Sequence, residues 1–74
     1  MIHTFGIEIE TSGASIPVIT TAFRDAGILG CVVKPDGTPR VDAEIVLPPL
    51  APCDFSFDYI KKICQALSDV NARV

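Results

Sequence analysis

The sequence predicts an α+β fold: a small two-layer domain in the order β-α-β-β-α, with two helices on one face of a mainly antiparallel sheet. Three observations predict it. Apolar and polar residues alternate over residues 2–10 and 41–47, as in strands with one buried face. Apolar side chains recur at helical spacing over residues 16–26 and 56–70. A chain of 74 residues accommodates these elements as a single domain over residues 1–74.

The first strand is predicted over residues 2–10. Its apolar positions are odd-numbered and are expected to face the core: Phe5, Ile7 and Ile9. Glu8 and Glu10 then face the other way together, because alternate side chains of a strand share a face. His3 has the apolar parity, so we expect its ring to pack at the start of the strand.

A helix is predicted from Ser15, a favourable N-cap, to about Ala26, with Pro17 tolerated in its first turn. Gly27 follows at the position where a C-cap glycine is expected. The side chains expected to point inward share helical spacing: Ile16, Ile19, Phe23 and Ala26. These features together predict a helix of about three turns that packs on the sheet.

Two further strands are predicted to form a hairpin. Residues 28–34 are β-branched and apolar enough for an interior strand, and residues 41–47 alternate again. Asp36 and Gly37 between them have the composition that tight turns prefer. Because the connection is short, we expect the second and third strands to pair in the antiparallel sense.

The last third of the chain is predicted to be an extended connector followed by a helix. The prolines of residues 48–54 cannot donate to a ladder and discourage helix. The helix expected over residues 56–70 has an inward set at helical spacing: Ile60, Ile63, Cys64, Leu67 and Val70. Asn71 is a suitable C-cap, and residues 72–74 resemble the start of another strand.

Composition excludes several classes of function. The formal net charge is −3 and the six basic residues are scattered, which disfavours direct nucleic-acid binding. No apolar run has the length of a membrane span, and no signal peptide is recognisable. Cys31, Cys53 and Cys64 lack the number and spacing of a disulfide or zinc framework, so a reducing cytosol is the expected setting. We expect these cysteines to be small buried hydrophobes.

The hydrophobic content indicates contacts beyond the chain. Hydrophobic residues make up 49% of the sequence, which is high for a domain with so much surface. Excess apolar surface is typical of proteins that bind a partner or another copy. We therefore expect a protein partner or a homo-oligomer, most simply a symmetric dimer.

The sharpest feature is an acidic face on the predicted sheet. The acids of the first and third strands all lie opposite the apolar positions: Glu8, Glu10, Asp42 and Glu44. Like charges opposite each other destabilise a strand pair, so a divalent cation or a basic partner surface would offset their repulsion. The alternative is the ordinary solvated face of a two-layer domain. The sequence leaves both interpretations open.

Three segments in order resemble the amidoligase family. They are FGIEIE at residues 5–10, PDGT at residues 35–38 and EIVLPPL at residues 44–50. The family comprises ligases similar to glutamine synthetase and glutamate–cysteine ligase, which join a carboxylate to an amine with ATP and magnesium. Thr38 and Leu47 stand where the family usually has serine. The resemblance covers nearly the whole chain but only the N-terminal portion of the family's domain.

The resemblance implies a site. It assigns Mg²⁺ and ATP to Glu8, Glu10 and Glu44, with Asp36 and Gly37 in the family's turn. Magnesium held by carboxylates would neutralise phosphates while an acyl phosphate forms and an amine displaces it. The His-x-His strand and basic residues of the family's downstream half do not follow. We therefore expect no catalysis by this chain alone.

Two functions remain as expectations. One is a non-catalytic interaction protein built on a truncated amidoligase-like module, for example a phage or mobile-element inhibitor that binds a host protein complex. The other is the N-terminal segment of an ATP- and Mg²⁺-dependent carboxylate–amine ligase, completed by another chain or by a missing C-terminal half. The acidic face serves both: it would bind a partner in the first case and Mg²⁺ in the second.

Overall fold

A computed structural model describes residues 3–74; residues 1 and 2 lie outside the described part, including the first residue of the predicted first strand. The elements in chain order are β1 (Glu8–Thr11), α1 (Ile16–Asp25), β2 (Val32–Lys34), β3 (Ala43–Val46) and α2 (Asp54–Asp69). Within the described residues the strands form one antiparallel sheet in the order β1-β3-β2. The predicted α+β class and the β-α-β-β-α order are confirmed.

The core is built around β3, the central strand. Ala43 and Ile45 are fully buried on its inner face, as the alternation of residues 41–47 predicts. The helices complete the core with a set of buried apolar side chains: Ile19 and Phe23 from α1, and Ile63, Ala66 and Leu67 from α2. Burying one large aliphatic side chain contributes about 1.5–3 kcal/mol, so this cluster is the main source of stability.

The sheet extends past β1 through an irregular pairing. Phe5 and Leu50 exchange two backbone hydrogen bonds, at 2.8 and 3.0 Å. Between this bridge and the pairing of Glu8 with Val46, the β3 side carries one extra residue. Pro48 and Pro49 occupy that stretch, and prolines are tolerated at such bulges because they cannot donate to the ladder. The regular part of β1 is therefore shorter than predicted.

β2 is an edge strand, and the prediction of an interior strand over residues 28–34 was wrong. Only residues 32–34 pair, and β3 takes the interior position because it bonds to strands on both sides. Gly30 has φ +89°, a left-handed conformation that interrupts the extended segment before β2. Leu29 and Val32 are exposed, while Ile28 is buried as a member of the core cluster.

α1 begins as predicted and ends one residue early. The Ser15 hydroxyl oxygen accepts a hydrogen bond from the Val18 N–H at 3.4 Å, which caps the N-terminus. Gly27 follows the helix with φ +72°, the left-handed conformation of a C-terminal glycine. Ala26 caps the helix and is exposed, so its predicted inward position was wrong.

α2 begins at Asp54, earlier than the predicted start near residue 56, because the extended connector ends at Cys53. The predicted inward position of Cys64 was wrong: it is exposed, and Ala66 is buried instead. Cys64 lies about 100° around the helix from Ile63, whereas Ala66 returns to the same side. Periodicity identified the helix but misplaced one edge of its buried stripe.

The chain after α2 turns back towards β1. Asn71 has φ +59°, the left-handed conformation expected of a residue that terminates a helix. Arg73 then exchanges two backbone hydrogen bonds with Ser12, at 2.8 and 2.7 Å. The strand-like character predicted for residues 72–74 is thus present as an isolated antiparallel bridge beside the end of β1.

Candidate functional site

The open face of the sheet carries a row of charged side chains across all three strands. Glu10 of β1 lies opposite Glu44 of β3, and Glu44 lies opposite Lys34 of β2. Residues directly opposite in an antiparallel pair have side chains within contact range. The structure therefore brings together two of the predicted carboxylates and adds a lysine that the sequence analysis did not assign to the site.

Glu8 belongs to the same acidic face, one row along. It lies opposite Val46, on the diagonal from Glu44. A hydrogen bond between their carboxyl groups is the largest cause of a raised pKa of Glu44, and desolvation and the Glu8 charge act in the same direction. The pKa shift indicates that Glu44 holds its proton more tightly than an isolated carboxyl group does.

Lys34 partly compensates this repulsion. Its charge lowers the pKa of Glu44, against the stronger raising effects of Glu8 and the lesser one of Asp36. The position of Lys34 follows from the hairpin, since its pairing with Glu44 places it in the acidic row. The sequence did not predict this pairing, because a two-residue turn at Asp36 and Gly37 would place Lys34 opposite Pro39 instead of Glu44.

Asp42 makes a different contact from the other acids. Its carboxylate accepts a hydrogen bond from the Gly13 N–H at 2.8 Å. This contact joins the segment before β3 to the turn after β1, so Asp42 has a structural partner outside the acidic row. Gly37, with φ +84°, lies in the predicted turn between β2 and β3 next to Asp36.

The acidic face offers oxygen donors of the kind that Mg²⁺ prefers. Glu8 lies on the diagonal from Glu44, and Glu10 faces Glu44 across the strands. Among residues 3–74, however, no three acidic, histidine or cysteine side chains converge in a geometry that could hold a metal ion. Carboxylates from this chain alone would have to move together, or be joined by other oxygen ligands, to bind one.

An open depression of about 540 Å³ adjoins the acidic face along β1. Glu8 and Glu10 line it together with Arg40 and Arg73, which come from distant parts of the sequence. The volume falls in the range of small-molecule sites, although such sites are usually more enclosed. These arginines are scattered in the sequence, and the return of the chain after α2 brings Arg73 to this edge.

Cys31, the residue before β2, makes a side-chain contact with α2. Its sulfur lies 3.1 Å from the Tyr59 hydroxyl, which donates a hydrogen bond to the Leu29 carbonyl. Burial is the main cause that raises the pKa of the Cys31 thiol, and it also raises the pKa of Tyr59. Both groups are therefore neutral at physiological pH and serve packing.

The other two cysteines are exposed, so the expectation that they are buried was wrong. Cys53 precedes α2, and its sulfur lies 3.5 Å from the Ser56 hydroxyl. That hydrogen bond is the largest cause of a lowered pKa of the Cys53 thiol, and the Ser56 backbone N–H adds to it. Cys64 faces away from the core on α2.

Comparisons with known proteins returned nothing: no protein-family model, curated protein or solved structure matches this chain significantly. The resemblance to the amidoligase family therefore stays a hypothesis. Neither α1 nor α2, the helices of the described residues, has the length and apolar character needed to span a bilayer.

Proposed function

We propose that this protein is a non-catalytic binding module that docks a basic surface of a partner protein on the open face of its sheet. The juxtaposition of Glu10 with Glu44, with Glu8 on the diagonal, carries the proposal. Like charges in adjacent strands destabilise the free domain. Lysine and arginine side chains of a partner would turn this repulsion into attraction, which would favour the bound state.

Apolar side chains beside the acids support the same proposal. Val32 lies opposite Val46 on the open face, and Val32 is 56% exposed. An interface combines a desolvated apolar centre with charged positions at its rim. The open face offers both within one sheet: Val32 and Val46 lie in the row with Glu8, and Glu10 and Glu44 lie in the next row. An inhibitor from a phage or mobile element that occupies a basic groove of a host complex is a role that fits this surface.

Affinity capture from host cells, with charge reversal, tests the proposal. A partner captured by the original protein should be lost with Glu10→Lys and retained with Asp58→Lys, an equal charge change on the exposed side of α2. Binding should also weaken as salt is raised, because screening reduces attraction between exposed charges. A partner that both variants retain equally would overturn the proposed docking face.

The second candidate is the N-terminal segment of an ATP- and Mg²⁺-dependent carboxylate–amine ligase. The pairing of Arg73 with Ser12 favours it, since a strand continuing in that direction would run along the outer edge of β1. Its side chains would then lie beside Glu8 and Glu10, and a second polypeptide segment could complete the site. The chain would supply Glu8, Glu10 and Glu44 as oxygen ligands.

Phosphate release tests whether the chain is catalytic without a completing segment. We expect the isolated chain, with Mg²⁺, ATP and mixed amino acids, to release no phosphate above background. Steady release that is abolished by Glu8→Ala but kept by Asp58→Ala would establish the ligase and contradict the non-catalytic module. Reconstitution with a candidate completing polypeptide is the corresponding measurement for a divided enzyme.

A further inference from the structure

A largely apolar groove of about 710 Å³ lies between α1 and the last turn of α2, away from the acidic face of the sheet. Its walls are small or short aliphatic side chains: Val18, Ala22, Ala26, Ala66 and Val70. Val18 is 45% exposed, so the groove is not closed by the protein's own side chains. Small walls allow the backbone of another element to approach closely.

Negative charge is concentrated at this groove. Asp25 and Asp69 both line it, and they are the last residues of α1 and α2. A helix C-terminus already carries partial negative charge, so a carboxylate there is unfavourable in the free protein. Among the described residues that line the groove, none is basic. A cation at this place would therefore be attracted by two carboxylates and two helix ends.

We infer that the groove is a docking site for an amphipathic helix of a partner protein. The helix would place small apolar side chains against Ala22 and Ala66, and a lysine or arginine beside Asp25 and Asp69. α1 has 10 residues and is about 15 Å long, which matches about three turns of an occupant. This surface is distinct from the sheet face of the proposed function.

A second copy of the chain is a poor occupant. A two-fold axis through the groove would bring the same patch of both molecules together, because such interfaces are self-complementary. The described residues that line the groove include two carboxylates and no basic side chain, so a second copy would offer no cation to pair with Asp25 and Asp69. Burying these carboxylates without a cation disfavours the pairing. The charge distribution thus favours a heterologous, basic helix.

Two synthetic helical peptides of about 12 residues test the inference. Both have the same alanine and leucine face; one carries flanking arginines and the other carries glutamates. Titrated into the isotope-labelled full chain, the arginine peptide should shift the amide resonances of Val18, Ala22 and Ala66. We expect it to bind about tenfold more tightly than the glutamate peptide at low salt.

Charge reversal supplies the control. Asp25→Lys combined with Asp69→Lys should invert the preference, so that the glutamate peptide binds more tightly. Asp58→Lys, on α2 outside the groove, should leave the preference unchanged. Asp25→Asn keeps the side-chain shape and should weaken binding of the arginine peptide a few-fold. This variant still tests the inference if the double variant unfolds. Equal binding of both peptides, no binding at millimolar peptide, or shifts confined to the sheet would overturn the inference.

Discussion

Gly13 is the residue at which three distant segments meet. Its N–H donates to the Asp42 carboxylate, and its φ is +95°. A Cβ atom built there would lie 2.9 Å from the Asn71 carbonyl oxygen, closer than real Cβ contacts come. Only glycine combines this left-handed conformation with so close an approach of backbone. The turn after β1 therefore depends on this one residue.

Gly13→Ala should destabilise the protein by about 1–3 kcal/mol, through backbone strain and the contact with Asn71. Chemical denaturation measures the change. Gly6→Ala is the matched control, because a Cβ at Gly6 would meet nothing within 4 Å and its backbone is not left-handed. Equal stability of the two variants would show that the turn rearranges without cost.

Glu10→Gln should stabilise the free protein, because it removes one charge from the pair that faces Glu44. Removing a like-charge cross-strand pair of this kind should raise Tm by about 1–8 °C. Asp58→Asn removes an equal charge outside the sheet and should leave Tm nearly unchanged. A decrease in Tm for Glu10→Gln would mean that the carboxylate makes a stabilising contact instead.

Magnesium distinguishes the two roles of Glu10. If the acidic face binds Mg²⁺, millimolar Mg²⁺ should raise the Tm of the original protein and do little for Glu10→Gln, since only a state that binds the ion is stabilised. If Mg²⁺ leaves both melting curves unmoved, the metal hypothesis fails and the basic-partner proposal stands.

The raised pKa of Glu44 predicts a pH dependence. The folded state binds this proton more tightly than the unfolded state, so stability from this group is fully present below its ordinary pKa of 4.5. That contribution is lost as the pH rises through the raised, folded-state pKa. Denaturation curves measured between acidic and neutral pH should therefore differ between the original protein and Glu44→Gln. At neutral pH the variant should have the larger free energy of unfolding. If the stability of the two proteins changed with pH in the same way, the raised pKa of Glu44 would not be the cause of the pH dependence.

At the scale of elements, β3 organises the domain because it pairs on both sides. Its Ile45 is fully buried in the core cluster and lies opposite Ile9 of β1 and Val33 of β2. β2, by contrast, is short and leaves Val32 exposed at the sheet edge. The two hairpin strands thus differ in their contribution to stability, although both are apolar in sequence.

Ile45→Ala should cost about 2–5 kcal/mol, because a large cavity would remain in the central strand. That is a large part of the total stability of a small domain. Val32→Ala, also an aliphatic truncation in the hairpin, should change stability by only about 0.5 kcal/mol. Urea denaturation of both variants checks the difference. Similar losses of stability would mean that Val32 is packed in the core as Ile45 is, which would contradict this prediction.

For the whole molecule, the exposed aromatic side chains predict self-association. Phe55 is 79% exposed and Phe57 is 51% exposed, both in the first turn of α2. Light scattering should report a dimer or a larger species, and Phe55→Ser with Phe57→Ser should reduce it to a monomer. Val18→Ser, at another exposed apolar position, is the control. A strictly monomeric original protein at high concentration would contradict this prediction.

The predictable part of the fold is local. Alternation placed Ile45 inward and the glutamates outward, and capping placed the start of α1 at Ser15. The wrong predictions concern features that depend on which other segment packs against a strand or helix. β2 is an edge strand, and Cys64 lies outside the buried stripe of α2. An apolar strand has the same residue pattern at the edge of a sheet as in its centre. Periodicity shows which side chains share a face, but it does not show how many strands pair with the segment.

The candidate site divides in the same way. Glu8 and Glu10 share a face by the geometry of one strand, which the sequence alone determines. Their relation to Glu44, and the place of Lys34 in the same row, depend on strand order and register. The contact between Gly13 and Asp42 spans 29 positions in the chain. Residues this distant in sequence become neighbours only through tertiary packing, so the tertiary structure alone decided which charges face one another.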